Sequence, residues 1–409
     1  VRKQMINVAI LGYGTVGSGV FEVIRTNKES ISKRVGKEIR VKYVLDIKDF
    51  PADDPVNEVL CRNFDTIVND PEVSIVVEVL GGVEPSYTWV SECLKRGKSV
   101  CTSNKELVAK HGAELIALAK EKNANFLFEA SVGGGIPIIR PINESLSADE
   151  ITEITGILNG TTNYILTKMA DEGLDFDSVL KDAQEKGYAE LHPEADVEGY
   201  DACRKIAILT SLAYGRQVDF EDIYTEGITK ITDADIKYAK ALNMSIKLLG
   251  TSRNIDGQVY AMVCPMLIKK EHPLYSVKDV FNAVFVKGNM VDDLMFYGRG
   301  AGKLPTASAV TADVVEAARN LGRTLPIIWS KETLELGSIG DFQHAFFVRM
   351  TSDTEKEAAE KAFGAIEVVR LEENTEEFAF VTPILKEKDF QKKIKDFKSV
   401  NSVIRLNAK

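Results

Sequence analysis

Residues 7–17 read Asn7-Val8-Ala9-Ile10-Leu11-Gly12-Tyr13-Gly14-Thr15-Val16-Gly17. An apolar strand-sized run meets a G-x-G-x-x-G turn. Val16, Val20, Val23 and Ile24 then recur at helical spacing. The glycine pattern carries little information alone, but between a strand and a helix it has a mechanism. Gly12 permits the tight turn, Gly14 lets a pyrophosphate approach the backbone, and Gly17 lets helix and strand pack closely. The N–H groups opening the helix, at Thr15 and Val16, would hold the phosphates. A ligand-free glycine turn would not need this context, so dinucleotide binding is expected.

Outward from this loop, strand and helix alternate. Residues 40–45 are β-branched. SIVVEVL (74–80) is a continuous apolar run, as in a strand buried on both faces. Residues 85–95 read as helix, 99–102 as strand, 105–122 as helix and 125–129 as strand. Repeated β-α-β with buried strands predicts an α/β fold, a Rossmann-type doubly wound parallel sheet.

After Glu129 the texture changes. SVGGGIP (131–137) is a Gly/Pro junction. Strands are expected at 151–158, 259–268 and 283–286, helices at 162–170, 201–214 and 306–320, and a long acidic loop between 187 and 201. This predicts an α+β domain. The last 65 or so residues read strand 345–350, helix 355–363, strands 365–371 and 377–384, helix 387–397 and strand 402–406. That βαββαβ order predicts a small ferredoxin-like module, with a linker at 332–343. The expected domains are 1–130, 131–331 and 344–409, with 306–330 packing back on the first.

The chain has 409 residues and a net charge of −10, from 61 acidic and 51 basic side chains. That balance argues against DNA or RNA, whose phosphates need a basic surface. No apolar stretch is long enough for a membrane helix, and no signal-peptide pattern precedes the first strand. A cytoplasmic protein is expected. Five cysteines, Cys61, Cys93, Cys101, Cys203 and Cys264, include no C-x-x-C pair, and there are four histidines. Free thiols in a reducing compartment are expected rather than a zinc site.

Three polar positions carry chemistry. Asp46 ends the second strand, where an acidic residue meets the ribose 2′-hydroxyl of NAD, but Lys48 follows and a cation there suits NADP. NAD and NADP both stay open. Lys105 follows the strand SVCTSN at a helix start, where a cation opposes the helix dipole. The carboxyl ends of such strands line the ligand crevice, so Ser103, Asn104 and Lys105 would face the nicotinamide. A surface lysine is the plain alternative. Asp201 and Lys205 stand four apart on one helix face, behind Glu190, Glu194, Asp196 and Glu198. A solvated acidic loop would show the same residues, as would a site for a substrate ammonium group.

These residues are similar to the homoserine dehydrogenase family. AQEKGYAE (183–190), continuing through Pro193, Asp196, Gly199 and Asp201 to Lys205, resembles its long motif. GYGTVGSGV (12–20), TSNKELVA (102–109), EASVGGGIPI (129–138), ILNGTTNYIL (157–166) and YGRGAGKLPTASAV (297–310) agree in order, so the resemblance spans residues 1 to about 330. The final module resembles an ACT-type regulatory domain. The resemblance implies interconversion of L-aspartate 4-semialdehyde and L-homoserine with NAD(P)H, towards threonine, isoleucine and methionine. It implies Lys205 as proton donor, Lys105 as its assistant, and Glu190, Asp196 and Asp201 as substrate-binding residues. Gly12, Gly14, Thr15, Val16, Gly17, Ser103, Lys105, Gly187 and Gly302 would contact the cofactor. A structural monovalent cation, usually sodium, would sit at Glu129, Val132, Gly134 and Ile136, largely on carbonyl oxygens. Assembly as a homodimer or homotetramer is implied too. The chain starts at the glycine-loop strand, so no fused aspartate kinase is expected.

The sequence departs from the family in three places. VLDIKD (44–49) lacks the arginine often found after the second strand. Leu191 and His192 stand where a small and an acidic residue are common. MTSDTEKEAAEKA (350–362) lacks the acidic-x-Pro-Gly turn of ACT-type modules, so amino-acid feedback is not expected. In the expected mechanism, hydride attacks the aldehyde carbon while a positioned ammonium stabilises the developing oxyanion and supplies its proton. Neighbouring ammonium groups ease each other's deprotonation, so Lys105 and Lys205 are expected to meet across the cleft. The alternatives are an inactive dinucleotide-binding sensor and a dehydrogenase of a related amino-acid semialdehyde.

Overall fold

The computed structural model describes residues 5–371 and 374–407, with side chains left aside at 374–376. The ends of the expected first and last domains, 1–4 and 408–409, lie outside them. Strand and helix alternate from the start: β1 (Met5–Leu11), α1 (Thr15–Thr26), α2 (Lys28–Val35), β2 (Glu38–Leu45), β3 (Leu60–Cys61), α3 (Phe64–Val68), β4 (Val73–Glu78), α4 (Ser86–Lys95), β5 (Ser99–Thr102), α5 (Lys105–Glu121) and β6 (Phe126–Leu127). The six strands pair in parallel in the order β3-β2-β1-β4-β5-β6. That is the Rossmann arrangement, with its switch point between β1 and β4. Val8 to Leu11 and Ile75 to Val77 are fully buried, which explains why these strands read as unbroken apolar runs.

The chain continues through β7 (Ile151–Ile157), α6 (Gly160–Glu172), α7 (Phe176–Glu185), α8 (Glu194–Val197), α9 (Tyr200–Tyr214), β8 (Arg216–Gln217), β9 (Tyr224–Thr225), α10 (Asp233–Ala241), β10 (Met244–Ile255), β11 (Gln258–Lys269), β12 (Phe281–Gly288), β13 (Asp292–Arg299), α11 (Lys303–Arg319) and β14 (Ser330–Thr333). It ends with β15 (Gln343–Met350), α12 (Lys356–Phe363), β16 (Glu367–Leu371), β17 (Asn374–Val381), β18 (Leu385–Lys386), α13 (Glu387–Ile394) and β19 (Val400–Leu406). No helix among the described residues is long and apolar enough to cross a membrane.

Two compact units result: Val1–Ala148 with Ile208–Asp219 and Gly298–Leu334, and Asp149–Ala207 with Phe220–Tyr297 and Glu335–Lys409. The three-domain division expected from sequence differs from this one. In the first unit, α11 lies on α1 because small residues allow close approach: a Cβ at Gly19 would stand 2.8 Å from the Lys303 carbonyl and 2.9 Å from Ala307. Ala307, Val310, Val314 and Ala317 thereby join the core of the parallel sheet. The first two residues of the expected linker, 332 and 333, end β14, which pairs with β8.

In the second unit one mixed sheet runs β13-β12-β7-β10-β11-β19-β15-β17-β16. The last four in that path belong to the C-terminal βαββαβ segment. β19 pairs in parallel with β11, Met266 opposite Arg405 and Leu267 opposite Leu406. The segment therefore shares a sheet with the preceding region, although it keeps its own aromatic core, where Phe346 and Phe390 stack at 3.8 Å. The long β10–β11 hairpin was half missed. Its signal was present: Asp256-Gly257 forms the turn with both φ positive, 50° and 88°, as a two-residue hairpin demands.

Candidate active site

In the first unit the glycine loop has the conformation its sequence implies. Gly12 adopts φ +100°, which a side chain would resist. A Cβ on Gly17 would fall 1.9 Å from the Gly12 carbonyl oxygen, whereas at Gly14 it would meet nothing within 4 Å. Gly17 is therefore a packing requirement and Gly14 an opening. The helix start at Thr15 and Val16 has neither a side-chain cap nor an acidic residue in its first turn. Its N–H dipoles remain available to an anion.

Asp46 closes this loop from the next strand. Its carboxylate accepts the N–H of Tyr13 at 2.7 Å and of Lys48 at 2.9 Å. Burial works against its ionisation, but the backbone N–H groups of Lys48, Tyr13 and Ile47 outweigh that and hold it below the usual carboxylate range. Arg62, which sequence reasoning missed, donates to the Asp46 carbonyl at 2.8 Å and pairs with Asp49 at 2.6 Å. A cation thus stands beside the end of β2 from a neighbouring strand, where no local pattern would reveal it.

A second missed residue is Glu78. Fully buried at the end of β4, it accepts from Thr102 at 2.6 Å, Ser86 at 2.9 Å and the Leu80 N–H at 2.8 Å. Thr102 receives the Asn104 N–H, and Asn104 caps α5 through the Leu107 N–H while donating to the Gly82 carbonyl at 2.6 Å. This network fixes the strand-to-helix turn carrying Ser103 and Lys105, both half-buried. Gly302, at φ +121°, stands at the N-terminus of α11, again without a side-chain cap or an early acid.

The junction after Glu129 is tightly engaged. The Glu129 carboxylate is buried and accepts the N–H groups of Ile138, Ile139 and Arg140 at 2.6–2.9 Å. Asp313 receives the Glu129 N–H and the Arg140 guanidinium. The carbonyls of Val132, Gly134 and Ile136 lie in buried backbone and take no hydrogen bond among the described residues. Unpaired buried carbonyls are rare.

In the second unit, Lys205 Nζ lies 2.7 Å from Asp201 Oδ2 and 2.8 Å from the Leu158 carbonyl. Asn159, not singled out from sequence, joins the acids: its Nδ2 donates to Asp196 at 2.7 Å and Asp201 at 2.9 Å, while its Oδ1 caps α6. The signal was its position at the head of NGTTN, a helix start. The five carboxylates part company. Asp196 and Asp201 gather at Asn159, Glu190 and Glu194 are exposed, and Glu198 accepts from Thr229 at 3.1 Å. The expected acidic loop contains α8. Gly187, at φ +73°, ends α7, and the Glu190 carbonyl is held by Gln184. Lys105 belongs to the first unit and Lys205 to the second.

Of the five thiols, all free, Cys61 is half-buried and the other four buried. Burial pushes Cys93 and Cys264 up to about 12, so none of these two is a ready nucleophile.

Comparison with known proteins places this geometry among relatives. Residues 12–129 match the pattern described as homoserine dehydrogenase, NAD binding domain, and residues 137–315 that of homoserine dehydrogenase. The homoserine dehydrogenase of Bacillus subtilis (strain 168) is 45% identical over 321 residues, 78% of this chain and 74% of that protein. That of Pseudomonas aeruginosa is 44% identical over 315 residues, 77% and 72% respectively. The crystal structure of a homoserine dehydrogenase from Thiobacillus denitrificans superposes with a TM-score of 0.91 at 37% identity, covering 98% of both chains. A hyperthermophilic archaeal homoserine dehydrogenase in complex with NADPH gives 0.67 at 28%, covering 79% of this chain and 99% of that one.

Proposed function

The chain belongs to the homoserine dehydrogenase family, and we propose that Lys205 is its proton donor. It is an NAD(P)-dependent oxidoreductase that interconverts L-aspartate 4-semialdehyde and L-homoserine. The observation carrying the proposal is the Lys205 ammonium group. An ammonium has three N–H bonds; here two go to Asp201 and the Leu158 carbonyl, which leaves one for a substrate oxygen.

The nicotinamide cofactor, when bound, supplies or removes the hydride. Gly12, Gly14, Thr15, Val16 and Gly17 would hold its pyrophosphate at the open start of α1, and Ser103, Lys105, Gly187 and Gly302 would make further contacts. Lys205 would give its proton to the carbonyl oxygen during reduction and recover it during oxidation. By the family resemblance Lys105 would be the assisting lysine. Asp196 and Asp201, with Glu190, would bind the amino-acid end of the substrate, its ammonium meeting their charge. Asn159 keeps the two aspartates in one orientation. Lys48 and Arg62 flank the end of β2, where a 2′-phosphate is met, so NADPH is expected to serve as well as NADH.

The unpaired carbonyls of Val132, Gly134 and Ile136 support a monovalent cation, sodium by family resemblance, at the junction after Glu129. The Glu129 carboxylate is engaged by three N–H groups, so Glu129 would contribute its carbonyl. The C-terminal βαββαβ order and its sheet order support an ACT-type module without its usual ligand turn. The edge strand β13 and its approach expose Met290, Met295 and Tyr297, which supports assembly with a second copy, as homodimer or homotetramer. Initial rates with aspartate semialdehyde and either NADH or NADPH test the cofactor choice. The same assay on Lys205→Ala tests the proton donor: retained turnover would remove Lys205 from the mechanism.

A further inference from the structure

Arg405 lies on the last strand, β19, in the segment whose resemblance is to a regulatory module. It is 5% exposed. Its guanidinium makes a two-pronged pair with Glu387, at 2.7 and 2.9 Å. It also reaches out of its own segment, to Glu226 at 2.8 Å and the Tyr224 hydroxyl at 3.1 Å. Tyr224 in turn donates to Glu226 at 2.9 Å. All four groups belong to the second unit. The fork on Glu387 and the separate bonds to Glu226 and Tyr224 together use a planar guanidinium, which lysine cannot reproduce.

Glu226 links Arg405 to the acidic loop, because the residues on either side of it touch that loop. Its N–H is held by the Val263 carbonyl at 2.8 Å. Gly227 follows, with no room for a side chain: a Cβ would fall 2.2 Å from the Val197 carbonyl oxygen and 2.5 Å from Glu198 Cα. The Ile228 N–H donates to that same Val197 carbonyl at 2.8 Å. Thr229 holds the Glu198 carboxylate. Residues 226–229 thus lie flat against 197–198, which join Asp196 to Asp201. Those two aspartates converge on Asn159, and Asp201 holds Lys205.

We propose that Arg405 is a positioning residue for the substrate-binding carboxylates Asp196 and Asp201, acting through Glu226 and the close seat of Gly227 on the Val197–Glu198 backbone. The C-terminal segment is then a brace for the substrate loop. Its last strand sets where Glu226 stands, Glu226 sets where Gly227 presses, and that contact fixes the spacing of Asp196 and Asp201. This rests on the reading that Asp196, Asp201 and Lys205 form the substrate end of the site.

The test uses the full chain and four variants: Arg405→Lys, Glu226→Gln, Gly227→Ala and Lys205→Ala. Homoserine oxidation is followed at saturating NADP, and the NADP KM is measured at saturating homoserine. Glu226 is partly exposed, so Glu226→Gln is expected to fold, and thermal melting checks each variant. The expected result for the first three is a homoserine KM raised about tenfold, with kcat and the NADP KM each within about threefold, the signature of lost substrate binding. A general loosening would instead lower kcat and weaken both ligands together, and that outcome overturns the proposal. So does a homoserine KM within about twofold of the parent in a folded Arg405→Lys, Glu226→Gln or Gly227→Ala protein. Lys205→Ala separates the two readings. If it retains full turnover, the site assignment fails, whatever the other three do. If it loses turnover while Glu226→Gln and Gly227→Ala are silent, only the brace fails.

Discussion

Asp201 Oδ2 and Lys205 Nζ stand 2.7 Å apart, one turn of α9 from each other, with side chains 6% and 12% exposed. A pair this withdrawn from water has to be matched closely, because each charge alone would be costly. The match fixes the ammonium's direction. Replacing Lys205 by alanine is expected to lower kcat by about a thousandfold, within the range of general acid–base catalysis. NADPH binding, measured by fluorescence titration, should stay within about twofold, since the cofactor's phosphates meet other residues.

Asn159 has two separable duties. Its Oδ1 caps α6 and its Nδ2 joins Asp196 to Asp201. Asn159→Asp retains the cap, since aspartate caps as well as asparagine. It also places a third carboxylate where a donor stood. Far-ultraviolet circular dichroism should be unchanged, while kcat/KM for homoserine falls about a hundredfold, roughly the cost of unpairing charged hydrogen bonds. An unchanged kcat/KM in the folded variant would mean that the Nδ2 bridge to Asp196 and Asp201 does not serve substrate binding.

Two glycines of the same loop should answer differently. Gly14→Ala has open space for its methyl group, so melting should not change while the cofactor KM rises about tenfold through blocked approach to the backbone. Gly17→Ala collides with the Gly12 carbonyl and should destabilise the protein by about 3 kcal/mol, as overpacking does. Equal melting temperatures for the two variants would contradict this division.

His344 gives the protein an acid-sensitive side. It is buried among Phe342 and Phe346, and burial first, then the charges of Arg405 and Arg253, push its pKa from 6.5 down to about 3. The folded state keeps the imidazole neutral while the unfolded chain takes up a proton below 6.5. Its contribution to stability is therefore complete above pH 6.5 and is lost as pH falls from 6.5 towards 3. Between pH 7.5 and pH 5 the loss should be about 2 kcal/mol. Urea unfolding at the two values should show that loss in the parent and not in His344→Phe.

The cation proposal has a structural readout. Replacing sodium chloride by choline chloride at equal ionic strength should lower the melting temperature by about 1 °C, a change of about 1 kcal/mol in a chain of this size. Identical melting in both salts would count against a bound cation at Val132, Gly134 and Ile136.

Much of this was legible beforehand. The parallel sheet announced itself because strands buried on both faces must be apolar throughout, and the glycine loop because its turn needs particular backbone angles. The pair Asp201 and Lys205 was legible because a helix brings residues four apart together. Arg62, Glu78 and Asn159 were not, because each acts on a partner from another element: Arg62 on the loop after β2, Glu78 on Thr102, Asn159 on Asp196 and Asp201. The C-terminal segment was readable as βαββαβ, yet its fusion to β11 was not. Its strand pattern is the same whether the edge faces water or another strand.

The sequence by itself determined the repeating pattern of strands and helices, the glycine turn and the residue types available to the chemistry, since all of these depend on neighbours within a few positions. Tertiary structure alone decided which of the five acids turn towards Lys205, which carbonyls lack partners and which distant arginine steadies the acidic loop. Those outcomes depend on contacts between segments as far apart as Glu226 and Arg405, and the free energy of such a contact is set by burial and geometry that no local spacing encodes.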